Sequence, residues 1–136
     1  MRIEKINIQK YRSIDDIVIS FPENKPVVLF GPNNAGKSNI LSAIERLLGE
    51  KYPTYIEMLE SDYFKRDKVT YPTASIFAWF SDAYYVDRRG TPYQTVALTY
   101  GYNGDLTENL IHDGFGNRLY VTNEQRVACQ SYLIDA

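Results

Sequence analysis

The sequence predicts an α/β fold: a strand–loop–helix unit beside a β-rich antiparallel meander. Three observations predict it. The run PVVLF, Pro26 to Phe30, is continuously apolar and leads into a loop bracketed by Gly31 and Gly36. After the loop, Ile40, Leu41, Ile44, Leu47 and Leu48 fall at helical spacing. Beyond Lys68 the hydrophobic period changes from 3.6 to two.

Taken in order, Ile6 and Ile8 alternate with polar neighbours, and Ile17, Ile19 and Phe21 repeat the pattern. The intervening RSIDD predicts that these two runs form an antiparallel pair. PENK reads as a turn, and PVVLF reads as a strand buried on both faces. The helix starts near Gly36 or Lys37, and Gly49 is its natural stop. From Glu50 to Lys68 the pattern supports a short helix and a loop. TASIFAWFS, YQTVALTY, LTENLIH and RLYVT then read as strands, joined by turns at DRRGTP, GYNGD and DGFGN. VACQSYLIDA closes the chain as a last strand candidate. No repeat or linker interrupts this order. One lobe over 1–136 is expected, with 1–50 carrying the strand pair, loop and helix, and 69–136 the β-rich layer.

The 136 residues suffice for one domain with its own core, and 44% hydrophobic with 24% charged residues is an ordinary globular balance. A net charge of −2 does not favour a dominant nucleic-acid surface. The single cysteine, Cys129, excludes an internal disulfide framework and fits a reducing compartment. The opening MRIEKINIQKYRSIDD lacks an apolar signal region, and no run reaches membrane-spanning length. A cytoplasmic chain without a membrane segment is expected. The 12 tyrosines, mostly after Lys51, suit half-buried strands, where the ring packs and the hydroxyl reaches a partner.

The loop GPNNAGKS, Gly31 to Ser38, has the pattern G-x-x-x-x-G-K-S. The bare pattern arises by chance in roughly one chain in a few hundred of this length, so its setting decides. Here it follows a strand and opens a helix, as a phosphate-cradling loop must. Gly31 and Gly36 permit close backbone approach, and Asn33 and Asn34 tolerate left-handed dihedrals. Backbone N–H groups across Asn33 to Gly36 and the helix N-terminus would surround an anion. Lys37 would place its charge on the β and γ phosphates, and the Ser38 hydroxyl would ligate Mg²⁺. The ligand expected is ATP with Mg²⁺, held by Gly31, Pro32, Asn33, Asn34, Ala35, Gly36, Lys37 and Ser38.

INIQKYRSIDDIVISF followed by VVLFGPNNAGKSNILSAIERLLG resembles the N-terminal lobe of ABC-type ATPases of the RecF/SMC group. It looks most like the OLD (overcoming lysogenization defect) family of AAA ATPases. These share an opening I-x-I-x-x-[YF]-R-S/N and then G-x-N-[NG]-[AS]-G-K-S-[NT]. Asn34 departs from the SMC-like glycine and matches the OLD-like NNAGKS. The likeness covers Met1 to Gly49. ESDYFKRD, Glu60 to Asp67, is weakly similar to an acidic-aromatic segment of OLD-like proteins, and beyond Lys68 the likeness is architectural, to the antiparallel layer of ABC lobe I. The resemblance implies that Arg12 lies beside the nucleotide and touches phosphate. By spacing alone Arg12 is a surface turn residue, and both readings stay open. The resemblance also implies that Asn39 supports the loop.

Hydrolysis needs more than the loop: a Walker B aspartate, a catalytic glutamate, a Gln loop, a signature motif and a switch histidine. No SGG-type signature occurs. Asp135 ends an apolar run but only Ala136 follows, and Asp82 ends a run whose alternation suits an antiparallel strand. Both read first as strand-end carboxylates. Gln125 and Gln130 sit in no recognisable motif. His112, the single histidine, reads as a hairpin-end residue, Cys129 as a small buried hydrophobe, GFGN as a hairpin turn and not a dinucleotide fingerprint, and DRR at Asp87 to Arg89 as a solvated turn.

The expectation is therefore an incomplete ATPase: an ATP-binding lobe not hydrolysis-competent alone. Whether it is a truncated piece, a split gene product or a degenerate remnant stays open. The resemblance implies a second ATPase head or missing C-terminal lobe as partner, homo-oligomerisation in the full-length context, and DNA-linked work in repair, nuclease control or phage defence. Two rivals remain: a non-enzymatic protein-interaction module with a vestigial loop, and a minimal enzyme using Asp135.

Overall fold

The computed structural model describes residues 2–23 and 36–126, with the side chains of Gly36 and Lys37 excepted. The expected strand at Pro26–Phe30, the loop residues Gly31 to Ala35, and the closing segment from Val127, with Cys129, Gln130 and Asp135, lie outside the described residues.

Among the described residues, five strands form one antiparallel sheet in the order β2-β1-β3-β6-β7: β1 (Ile3–Tyr11), β2 (Ile14–Ser20), β3 (Thr73–Phe80), β6 (Thr95–Tyr102) and β7 (Thr107–His112). A two-residue ribbon, β4 (Tyr85–Val86) with β5 (Pro92–Tyr93), fills the β3–β6 connection around the DRRGTP turn. The expected β1–β2 pair forms with Tyr11 opposite Ile14, leaving Arg12 and Ser13 as the turn. It is continuous with the later strands, because β1 also pairs with β3.

One sheet face is the core. Ile6, Ile8, Ile76, Ala78, Val96, Leu98 and Tyr100 are essentially fully buried on it, with Ala74 and Ile111 beside them. Alternation puts these positions on one side of the pleat. In β1 the register against β3 shifts between Ile3 and Lys5, and at Lys10, with φ +54°, the phase shifts so that Tyr11 is buried in place of Lys10. That aromatic insertion matters for the site below.

The helix α1 (Gly36–Leu48) packs on this face and stops before Gly49, whose N–H donates to the Glu45 carbonyl. Ile40, Ala43, Leu47 and Leu48 are buried, but Leu41 is 51% exposed and lies off the expected stripe. Positions 40, 43 and 47 define the axis of the buried stripe, and 41 lies about 100° from 40. The Arg126 guanidinium donates to the Leu47 and Gly49 carbonyls, so a cation meets the negative end of the helix.

Two further expectations change. Glu50 to Lys68 forms no α-helix but three 3₁₀ turns, at Pro53–Tyr55, Glu60–Asp62 and Phe64–Arg66. RLYVT is not a strand. The chain does turn back at DGFGN, with Arg118 bridging to His112, but ladder pairing ends there. Leu119 and Val121 are drawn into the core instead of continuing along the edge. From residue 123 a helical turn begins, with Thr122 and Gln125 capping each other reciprocally. Thr122 is therefore the N-cap of that turn, and Gln125, its third residue, closes the capping box.

Candidate functional site

The site is assembled where the β1–β2 turn meets the first turns of α1. Arg12 occupies the turn with φ +53°, a left-handed value that a non-glycine residue holds only when its surroundings impose it. The surroundings are explicit. The Arg12 backbone N–H donates to the Asp62 carbonyl at 2.8 Å, and its Nε donates to Asp62 Oδ1 at 3.0 Å. Its Nη1 lies 3.4 Å from Asn39 Oδ1, and the Asn39 amide donates to Ser13 Oγ at 2.7 Å. Asn39 is the fourth residue of α1, so Arg12 stands beside the positive end of the helix dipole.

Behind Arg12 lies a buried polar network. Asp62, 2% exposed, accepts from Arg12 on Oδ1, and on Oδ2 from Arg46 Nη2 and the Leu59 N–H, both at 2.8 Å. Arg46, itself 8% exposed on α1, donates from Nε to the Tyr11 hydroxyl at 2.7 Å. From Nη1 it reaches the Glu57 carbonyl and the Tyr100 hydroxyl. Tyr11 also shares a hydrogen bond with Ser42. Burial works against the Arg46 charge, but the Tyr100 hydroxyl, Tyr11 and Asp62 outweigh it and hold its pKa above the ordinary value. Burial pushes the Tyr100 hydroxyl up, against the pull of Arg46. Every polar group named here has a partner, which is the condition for keeping such a network in a core.

In front of Arg12 opens a cleft of about 730 Å³, lined by Arg12, Ser13, Asn39, Ser61, Tyr63, Phe64, Lys65 and Arg66. Three of these eight are cations and none is an acid. Lys65 and Arg66 also have left-handed dihedrals, φ +55° and +57°. Among the described non-glycine residues only Lys10, Arg12, Lys65 and Arg66 have positive φ, and three of the four line this cleft. Strained backbone carrying cations beside a helix N-terminus suits an anionic ligand. A second cleft, of about 850 Å³ and with Tyr85, Arg88, Arg89 and Tyr93 in its wall, does not include α1.

The expected site residues are therefore brought together only in part. Arg12 and Asn39 meet. Ser38 is exposed in the first turn of α1, and Gly36 and Lys37 begin that helix. Sequence reasoning missed Asp62, Arg46, Lys65 and Arg66. The acidic-aromatic ESDYF segment was one visible sign of Asp62, and an arginine bordering the apolar stripe of α1 was the sign of Arg46.

The other candidates fall into structural roles. Asp82 lies exposed after an antiparallel strand and caps the Ala83 N–H. His112 uses both ring nitrogens: Nδ1 accepts from the Gly114 N–H, so Nε2 carries the proton to Thr99 Oγ1. Burial pushes its pKa down, against the opposing pull of Asp113. Asp87 closes the DRRGTP turn by accepting from the Arg89 and Thr91 N–H groups and the Tyr93 hydroxyl. No group of three or more metal-ligating side chains exists among the described residues. No helix among them is long and apolar enough to cross a membrane.

Comparison with known proteins bears on the fold and the family. A solved SMC ATPase, described for its ATP-driven dimerisation and DNA-stimulated activation, superposes with TM-score 0.55 at 22% identity, over 97% of this chain and 77% of its own. The SMC head bound to the C-winged helix domain of ScpA gives TM-score 0.51 at 21% identity, over 97% of this chain and 39% of its own. These likenesses show a P-loop NTPase-like fold of the SMC-head kind. The chromosome partition protein Smc of Methylococcus capsulatus is 28% identical over 149 aligned positions, 92% of this chain. An uncharacterised protein of Methanocaldococcus jannaschii is 37% identical over 54 residues, 38% of this chain. The chain spans 12% and 7% of the lengths of these two relatives. The AAA ATPase domain family matches residues 1–126, nearly the whole chain, and the protein belongs to that family, as an ABC/SMC-like ATPase lobe.

Proposed function

We propose that this chain is the ATP-binding part of an OLD/RecF/SMC-like ATPase. In this reading Gly31 to Ser38 cradles the phosphates, Lys37 and Arg12 contact them, and Asn39 orders the turn that carries Arg12. The observation that carries it is the guanidinium of Arg12 held against the first turns of α1, the helix that the GPNNAGKS loop opens. A cation there opposes the helix dipole, and an anionic ligand relieves the conflict. Mg²⁺ bound with the nucleotide neutralises phosphate charge, and the Ser38 hydroxyl is the residue that would hold it.

The remainder of the reading is family analogy. A second head or a further lobe supplies the signature motif and Walker B acid, the assembly is homo-oligomeric and cytoplasmic, and its work is linked to DNA in repair, nuclease control or phage defence. The described residues offer the cleft no free carboxylate, since both Asp62 oxygens are taken by arginines and a backbone N–H. That supports binding without efficient hydrolysis by this chain alone.

Calorimetric titration of the chain with Mg-ATP, beside Lys37→Ala, tests the proposal. Binding by the wild type with at least about tenfold loss in the variant is expected, the size of one charged phosphate contact. Equal binding by both, or none by the wild type, would remove the nucleotide reading. The interaction-module alternative would then lead. One observation favours it: Phe77 and Trp79 on the sheet face away from α1 are joined by Phe115, which is 73% exposed.

A further inference from the structure

The polar contacts around Arg12 form a closed circuit through α1. Starting from Asn39, the circuit runs to Arg12, on to Asp62, then to Arg46, and so back to the helix. Asn39 and Arg46 are seven residues apart, about 10 Å along the axis. The Arg12 turn is thus gauged against two points on the helix that the phosphate loop opens. Asp62 is the one member of the circuit outside both elements, and it grips Arg12 twice, through its own carbonyl and through Oδ1.

The charge count adds to this. One carboxylate faces two guanidiniums, so the triad carries one surplus positive charge. Arg46 is enclosed, its side chain 9% exposed, whereas the Arg12 side chain is 33% exposed and lines the cleft. The surplus is therefore presented at Arg12. Asp62 holds the Nε elbow of that guanidinium, which aims its terminal amino groups toward Asn39 and the cleft.

We propose that Asp62 is a positioning residue for nucleotide binding: with Arg46 behind it, it sets Arg12 against the start of α1, so that triphosphate affinity depends on Asp62 through Arg12. The inference rests on the ATP-binding reading above and goes further, because neither Asp62 nor Arg46 touches the ligand in it.

The test is a double-mutant cycle read by Mg-ATP calorimetry, with thermal melting in parallel. Arg12→Ala is expected to weaken binding about tenfold, as loss of a charge-assisted contact does. Asp62→Asn, which keeps the shape and removes the charge, is expected to weaken it by a similar factor in the wild-type background and not further in the Arg12→Ala background. Additive losses, or unchanged affinity in Asp62→Asn, would assign Asp62 a purely structural role and overturn the proposal. Arg12→Lys is the second variant, in case Asp62→Asn does not fold. Its single ammonium cannot hold Asp62 and also reach a ligand, so it should bind as weakly as Arg12→Ala, and wild-type affinity in Arg12→Lys overturns the proposal. Lys37→Ala separates the two levels. If that variant loses ATP while the cycle is additive, only the Asp62 inference falls. If wild type and Lys37→Ala behave alike, the nucleotide reading fails and takes the inference with it.

Discussion

The DGFGN turn shows how much one carboxylate organises. Asp113, 4% exposed, accepts from the Phe115 and Asn117 N–H groups on Oδ1 and from the Asn117 amide on Oδ2. Burial pushes its pKa up, but the Asn117 amide and the backbone donors outweigh this, and the pKa stays below the ordinary carboxylate value. A folded-state pKa below the unfolded one means stability that is full above the unfolded pKa and lost as pH falls through the folded one. Asp113→Asn should cost about 1.5–3 kcal/mol near neutral pH and flatten the acid limb of stability, measured by urea unfolding against pH. A variant with an unchanged midpoint would show that the turn does not depend on the charge. His112 has the same sign: burial depresses its pKa, so its contribution is full above the ordinary histidine value and fades as pH falls below it. Gly114 adds a steric constraint. Its φ is +87°, and a Cβ would lie 1.6 Å from Phe77 Cε2. Gly116, with φ +99°, faces open space. Gly116→Ala should lose roughly 1 kcal/mol from backbone strain, and Gly114→Ala an added ~1–3 kcal/mol from overpacking. Equal melting temperatures for the two variants would refute the Phe77 contact.

At the scale of elements, helix α1 and the first hairpin are legible in the sequence itself. The alternation in IEKINIQK and DIVIS needs only the pleat to become β1 and β2, and Gly49 needs only its missing Cβ to end the helix. Leu41 fits the helical spacing and is still exposed, because spacing fixes the width of a stripe and only the packed sheet decides which edge of it is covered. Leu47→Ala should cost about 2–5 kcal/mol, while Leu41→Ala should stay within about 0.5 kcal/mol, both read by chemical denaturation. A large loss at Leu41 would mean that another surface covers it. RLYVT flanks the DGFGN turn as a second hairpin strand would. Burial of Leu119 and Val121 against the main core took the chain off the edge, a tertiary gain that local propensity does not register.

For the whole molecule, the isolated chain should release no phosphate from Mg-ATP above its Lys37→Ala control, measured over hours with a phosphate sensor. Turnover abolished by Asp135→Asn would instead mark it as a minimal enzyme. Phe77, Trp79 and Phe115 form an apolar patch on the sheet face away from α1, and loss of nucleotide binding would turn attention there.

By itself the sequence determined the local frame: strand alternation, the glycine-bracketed loop opening α1, the turn residues and the ATPase likeness. Each is written in neighbours a few positions apart, where period and backbone freedom suffice. Only the tertiary structure decided that Asp62 would stand between Arg12 and Arg46, fifty and sixteen residues away. Nothing in local spacing pairs a buried carboxylate with its cations. Desolvation makes that pairing obligatory once the sheet and helix close over them.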